Sequence, residues 1–275
     1  MLFLTHAQPR AHHIIAALAS ENILSHDLSF QRIVQSNEQA HDCLDQARNI
    51  RQFDHVVFVS PNAIDAFFQA DLGSRAPQGH VSFTVGQVIV VGPGSLAALN
   101  FWLNKGSLRP VVGQVSEQVR TFDADGVLGQ LRTLAALHAA QRPGVLIKVL
   151  VVKGAAGRTD WIEQARQGGL MVQELQAYTA LDCDPGYASS SALIHCKQQD
   201  LLPSLVITST ANVARLVAWA QAQPVPNLLP WLQRQTTLAI HPRIAAQLTA
   251  MSFASVKEIP PGFEALRAAA LKYGN

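Results

Sequence analysis

Leu2-Phe3-Leu4-Thr5-His6 recurs in character as Val149-Leu150-Val151-Val152-Lys153, 147 residues further along the chain. Each is a short apolar run that ends in polar residues. Two further pairs keep nearly the same spacing. Phe58-Val59-Ser60-Pro61 matches Ile207-Thr208-Ser209-Thr210, and Val91-Gly92-Pro93 matches Ile240-His241-Pro242, both at an offset of 149. Three strand-then-helix units that return in order at almost one offset point to a duplicated α/β module.

Working outward from these anchors, the apolar spacing of Ile14, Ile15, Leu18 and Ile23 predicts a helix after Pro9. Leu28 to Val34 reads as an extended connector, and a polar helix follows over residues 37–50. Ser60-Pro61-Asn62 supplies a turn and a helix start, because proline is favoured in a first helical turn. Residues 78–84 read as loop. Phe122-Asp123-Ala124-Asp125-Gly126 opens a helix to about residue 140. Val145 to Val152 is the most strand-like run, and Gly154-Ala155-Ala156-Gly157 ends it. A helix over 159–167 and a second extended connector, 171–180, come next. The last third gives strand 205–208, helix 211–222, a proline-rich loop with Pro224, Pro226 and Pro230, strand 238–240, helix 244–251 and a terminal helix 264–272.

Strands alternating with helices in this way form parallel sheets covered on both faces. In such sheets ligands sit at the carboxyl ends of the strands. Thr5-His6, Ser60-Pro61-Asn62, Gly92-Pro93-Gly94-Ser95, Lys153-Gly154, Thr208-Ser209-Thr210 and His241-Pro242-Arg243 all fall there. The expected fold is therefore α/β, with two Rossmann- or flavodoxin-like parallel-sheet domains and a cleft between them.

Composition agrees with a globular chain long enough for two domains of ordinary size. The chain has 275 residues, 48% hydrophobic and 15% charged, which suits a folded protein rather than a disordered one. A net charge of +2 argues against nucleic acid as partner. It leaves room for an anionic small ligand, since local donors bind anions without global charge. Cys43, Cys183 and Cys196 are distant from one another and form no CxxC pair, as expected in a reducing cytoplasm. No signal-peptide core and no membrane-spanning run is expected.

Taken together, these segments resemble the uroporphyrinogen-III synthase family over nearly the whole chain. Val57-Phe58-Val59-Ser60-Pro61-Asn62-Ala63 is similar to the family's strand and (T/V)S-x-N-A turn, and Val91-Gly92-Pro93-Gly94-Ser95 to its V-G-x-x-T turn. Phe122 to Leu128 is similar to F-x-S-E-G-L-L, and Lys153-Gly154-Ala155-Ala156-Gly157-Arg158 to R-G-x-x-G-R. Tyr178, in a segment like V-x-x-Y, and Val206-Ile207-Thr208-Ser209 complete the set. The resemblance implies two crossings between domains. Residues 1–33 with 181–275 would form one domain and 36–175 the other. Residues 28–36 and 174–183 would be linkers pairing as a two-stranded ladder.

It also implies the chemistry of a cofactor-free cyclising lyase of heme biosynthesis. Hydroxymethylbilane, a linear tetrapyrrole with four acetate and four propionate groups, loses its hydroxyl to give an azafulvene. That electrophile attacks ring D at its substituted carbon, forms a spiro intermediate, and recloses with ring D inverted. Such a reaction asks for control of substrate folding and for stabilised charge. Tyr178 is the expected catalytic O–H donor. Thr5, His6, Ser60, Asn62, Gly92, Gly94, Ser95, Lys153, Gly154, Arg158, Thr208, Ser209, Thr210, His241 and Arg243 are the expected substrate contacts. Many of these hydroxyl residues would serve equally as helix N-caps. A monomer in the cytoplasm is expected. The chain departs from the family pattern at His6, where T-R-P is common, at His241 for glycine, and at Ile244 for threonine.

Competing readings are weaker. Gly92-Pro93-Gly94-Ser95-Leu96-Ala97 fits a minimal dinucleotide fingerprint, but proline sits in the turn and no acidic residue ends a following strand. The neighbours His12 and His13 diverge on a helix, and no HxxxH recurs, so no metal is expected. A G-x-S-x-G nucleophile elbow is missing. A non-catalytic relative or a hinge-type ligand receptor is the alternative reading of the same two-domain pattern.

Overall fold

The structure, a computed structural model, describes residues 1–73, 81–83, 87–104, 108–110, 124–142 and 144–273. In chain order the strands are β1 (Leu2–Leu4), β2 (Ser25–Asp27), β3 (Gln31–Val34), β4 (His55–Phe58), β5 (Val81–Phe83), β6 (Gln87–Val90), β7 (Leu108–Pro110), β8 (Lys148–Gly154), β9 (Met171–Asp182), β10 (Ser204–Ile207), β11 (Thr236–Ala239) and β12 (Ser255–Glu258). The helices are α1 (Arg10–Ala19), α2 (Asn37–Arg48), α3 (Pro61–Gly73), α4 (Gly92–Asn104), α5 (Ala124–Gln141), α6 (Asp160–Gln167), α7 (Tyr187–Gln198), α8 (Thr210–Ala222), α9 (Leu228–Leu232), α10 (Pro242–Ala250) and α11 (Phe263–Tyr273). Contacts divide the chain into two compact units, Met1–Ile33 with Leu181–Asn275, and Val34–Ala180.

The first unit is built on the sheet β12-β11-β10-β1-β2, in which every neighbouring pair is parallel. Its central strands alternate between two cores. Phe3, Leu205, Ile207 and Ala239 pack with α7, α8, α9 and α10, while Leu2, Leu4, Val206 and Leu238 pack with α1 and α11. The second unit carries the sheet β3-β9-β8-β4-β6. Val56, Phe58, Leu150 and Val152 face α2, α3 and α4, and Val57, Val149 and Val151 face α5 and α6. Burial on both faces is why these strands read as unbroken apolar runs.

The repeat is preserved to the residue. Phe3 pairs with Leu205 on one side and His26 on the other. At the same offsets Leu150 pairs with Val56 and with Gln173. Leu205 pairs with Thr237, and its counterpart Val56 with Val88. The strand β2, a polar Ser-His-Asp edge that the sequence reading passes over, thus proves to be the counterpart of β9.

Several local expectations need correction. Residues 81–83, read as loop, form β5, which pairs in parallel with β7. The proline-rich loop contains α9, whose buried Leu228, Trp231 and Leu232 stabilise a turn too short to read from periodicity. The strand expected from Val145 starts at Lys148, because Val145 and Leu146 are exposed ahead of the sheet. Phe122 and Asp123, part of a motif quoted above, lie outside the described residues. No helix among the described residues is long and apolar enough to cross a membrane.

Phe58 is wholly buried and meets Phe67 and Phe68 at ring-centroid distances of 5.4 and 5.7 Å. Truncating Phe58 to alanine is expected to lower the folding free energy by about 3–5 kcal/mol, read from chemical-denaturation curves. A loss below about 1 kcal/mol would contradict the packing described.

Candidate active site

At the carboxyl ends of β4 and β8 in the second unit lies a cavity of about 280 Å³. Ser60, Lys153, Gly154, Gly157, Arg158 and Tyr178 bring polar or close-approach groups to its wall; Val59, Val91, Val127, Trp161 and Ile162 bring apolar ones. Five of the residues singled out from sequence therefore meet at one place: Ser60, Lys153, Gly154, Arg158 and Tyr178.

Tyr178 reaches the cavity through an irregularity in β9. Lys153 is in register with Gln176, but the next residue, Gly154, is in register with Tyr178. One extra residue in β9 makes a β-bulge, a device that re-aims a side chain. Ala177 and Tyr178 accordingly both pack with the core that Leu175 joins, which strict alternation would forbid. The Ala155 amide donates to the Tyr178 carbonyl at 2.8 Å and fixes the turn. The far end of the tyrosine ring then lies close to Gly154. A Cβ at that position would stand 2.7 Å from Cζ and 3.0 Å from Oη, so any larger residue there would have to displace the ring.

The phenol is held by Ser60, whose Oγ is 3.2 Å from Tyr178 Oη. Ser60 also caps α3, its Oγ accepting the Ala63 amide at 3.1 Å. Either hydroxyl can donate in this pair, since the serine oxygen keeps a second lone pair after accepting the Ala63 amide. When serine donates, the phenol hydrogen is left for a ligand.

Two cations line the same cavity. Lys153 is 5% exposed, and its Nζ donates to Glu174 Oε2 at 3.3 Å. Glu174 in turn accepts from Arg166 Nη2 at 2.9 Å. Burial raises the Glu174 carboxyl, but the hydrogen bonds from Arg166 and Lys153 outweigh it and leave the group below its ordinary value. Arg158 is more exposed and grips Asp160 through both Nε, at 3.0 Å, and Nη2, at 2.6 Å. Glu174 and Arg166 escape a reading of the sequence, because their grouping with Lys153 arises only when α6 and β9 pack beside β8.

Other expected contacts are occupied by the fold itself. Thr5 is buried; its hydroxyl donates to the Val206 carbonyl at 2.9 Å and accepts the Thr208 amide at 3.2 Å. Thr208 Oγ1 and Asn212 Nδ2 both donate to the Thr5 carbonyl, at 3.1 and 2.7 Å. These bonds tie the ends of β1 and β10 together. Ser209 caps α8 by accepting the Asn212 amide at 3.1 Å. Thr210 is exposed in the first turn of α8, and Asn62 is half-buried in that of α3. Ser95 is fully buried, with no hydrogen-bond partner for its hydroxyl. Its repeat counterpart Ile244 is a core residue, so this position looks inward in both units.

The turn residues show why one departure is tolerated. Gly92 has φ +78°, a conformation that favours glycine. His241, its counterpart, is extended at φ −159° and carries a side chain without strain. His241 Nδ1 caps α10 by accepting the Arg243 amide at 3.1 Å, and Arg243 itself is exposed. Gly94 stands next to Pro61, in contact range for an added Cβ at 3.5 Å. At the end of β1, the His6 carbonyl accepts from Ser29 Oγ, while the buried His6 Nδ1 has no partner. Burial, aided by the nearby Arg10 charge, pushes His6 down to about 4 against the opposing pull of Asp27. No group of three His, Cys, Asp or Glu side chains among the described residues is placed to hold a metal ion.

Comparison with known proteins adds a family. The family model described as Uroporphyrinogen-III synthase HemD matches residues 14–261. Among solved structures, uroporphyrinogen-III synthetase from Helicobacter pylori is 13% identical, with 98% of each chain covered and a TM-score of 0.53, a likeness of fold. A mutant uroporphyrinogen III synthase from the extremely thermophilic bacterium Thermus thermophilus is 15% identical, with 98% of each chain covered and a TM-score of 0.49. No curated protein sequence matches the chain.

Two outcomes follow from the geometry. Gly154→Ala should lower stability by about 1–3 kcal/mol through the clash with the Tyr178 ring. Adding Tyr178→Ala should recover part of that loss; strictly additive losses would refute the contact. For His6, the folded protein resists a proton that the unfolded chain accepts from its ordinary value of 6.5 downward. Stability should therefore fall as pH drops from 6.5 to about 4 and lose nothing more from this group below that. Denaturation midpoints across this window should slope less in His6→Gln, and an identical slope would exclude His6 as the cause.

Proposed function

The chain belongs to the uroporphyrinogen-III synthase family, and on that premise we propose that the cavity beneath Tyr178 receives the end of hydroxymethylbilane that carries the leaving hydroxyl. The enzyme is a cyclising lyase of tetrapyrrole biosynthesis. It closes the linear bilane with loss of water and inversion of ring D. The family match over residues 14–261 carries this conclusion.

The residues divide the work by chemistry. As the C–O bond breaks, the bonding pair leaves on oxygen, and a pyrrole nitrogen supplies the electrons that form the azafulvene. The Tyr178 O–H donates to that departing oxygen, oriented by the Ser60 hydroxyl. Lys153 and Arg158 take substrate carboxylates at the cavity wall. The apolar side of Val59, Trp161 and Ile162 receives a pyrrole face. In the first unit, taken by itself, Ser209, Thr210, His241 and Arg243 stand at the N-termini of α8 and α10, where anions are favoured, and His6 stands at the end of β1. Thr5, Thr208, Asn62, Gly92, Gly94, Ser95 and Gly154 support this arrangement by shaping backbone at the strand ends. The assignment adds no cofactor. A monomeric cytoplasmic enzyme is the form we favour; the three free cysteines, two of them buried, fit a reducing compartment.

Freshly prepared hydroxymethylbilane supplies the test. The type III isomer should exceed the type I product of spontaneous closure, and type I alone would overturn the assignment. Tyr178→Phe should lower kcat by roughly tenfold or more with the fold intact. An unchanged kcat would remove the phenol from the mechanism.

A further inference from the structure

We propose that Arg166 sets the anion affinity of the cavity from outside it, by occupying Glu174 so that the charge of Lys153 is left over for a ligand carboxylate. This rests on the reading of the cavity as a carboxylate site.

Lys153 lines the cavity and is almost fully buried, so its ammonium needs a counter-charge to stay there. Glu174 provides one, from the neighbouring strand. By itself that pairing would cancel the charge. An incoming carboxylate would then meet a pair with no net charge to attract it. Arg166 changes this balance. It comes from the last turn of α6, donates to Glu174 Oε1 at 2.9 Å, and is braced by the Val172 carbonyl at 3.2 Å. Its bond to Glu174 is shorter than the 3.3 Å contact from Lys153, as suits a charge-assisted guanidinium–carboxylate bond. Neither Arg166 nor Glu174 lines the cavity. Two cations share one carboxylate, so the trio keeps one positive charge, and Lys153 is its member that lines the cavity. Glu163 also touches Arg166, at 3.2 Å, but its side chain is 61% exposed and solvent screens it. Arg166 is thus a positioning residue that acts through Glu174 on Lys153.

Steady-state kinetics on hydroxymethylbilane separate the possibilities, with melting temperatures recorded for each variant. Arg166→Gln should raise KM by about tenfold while kcat stays within about twofold. Arg166→Lys, which keeps the charge, should hold KM within about threefold of the parent. The decisive variant is Arg166→Gln/Glu174→Gln. Removing the now uncompensated carboxylate should bring KM back toward the parent value, a recovery that a damaged fold does not produce. An unchanged KM in Arg166→Gln, or a further rise in the double variant, would overturn the inference. Lys153→Gln tests the underlying reading separately. If it leaves KM unchanged, the cavity does not bind carboxylate through Lys153. If it raises KM while Arg166→Gln does not, the cavity reading stands and the role of Arg166 fails.

Discussion

Everything in this molecule depends on central strands that are covered by helices on both faces. β1, β10, β4 and β8 are parallel to their neighbours and their central residues are buried on both faces, so those residues are apolar. A strand so enclosed has one place to carry chemistry, its carboxyl end, where the backbone turns toward a helix. The polar residues that matter crowd into those turns for that reason. The same enclosure makes them dependable, because a turn anchored on a buried strand has little freedom to drift.

Duplication set the two units on one plan, and the strand registers still show it. What has diverged is the use made of equivalent positions. Lys153 and Glu174 form a part-buried ion pair in one unit; His6 and Asp27 occupy the matching places in the other, where burial lowers the affinity of His6 for a proton. In that unit Asp27 serves local order instead, accepting from Gln8 at 2.6 Å and from the Ser29 amide at 2.9 Å. Gly92 must be glycine, whereas His241 works as a cap. One scaffold therefore carries a charged cavity wall on one side of the repeat and a hydrogen-bonded, largely self-satisfied edge on the other.

Much of the fold was legible because buried parallel strands announce themselves as apolar runs and helix starts as Ser-Pro-Asn or His-Pro-Arg turns. The missed elements share a physical reason. β2 and β12 are edge strands, held by hydrogen bonds to one neighbour and only partly buried, so nothing forces them to be apolar. The helix α7 buries only Leu193 and Cys196, and its serines give no clear stripe. At the cavity, Ser60, Lys153, Gly154, Arg158 and Tyr178 were readable from their turns. The demands on Thr5 and Thr208 were not, since a hydroxyl that staples two strands looks the same in sequence as one that awaits a ligand. Arg166 and Glu174 were invisible, because a helix side chain and a strand side chain meet there only through tertiary packing.

The extra residue in β9 has a consequence for how this family can vary. It decides sidedness: β9 before it and β9 after it obey opposite parity, and the ring of Tyr178 is on its present side only because of that one-residue slip. Straightening the strand at its present length would turn the ring to the other face, whereas dropping the extra residue together with the slip would leave the tyrosine opposite Gly154. Strand length and slip are thus matched to each other, and a change in one alone would redirect the phenol.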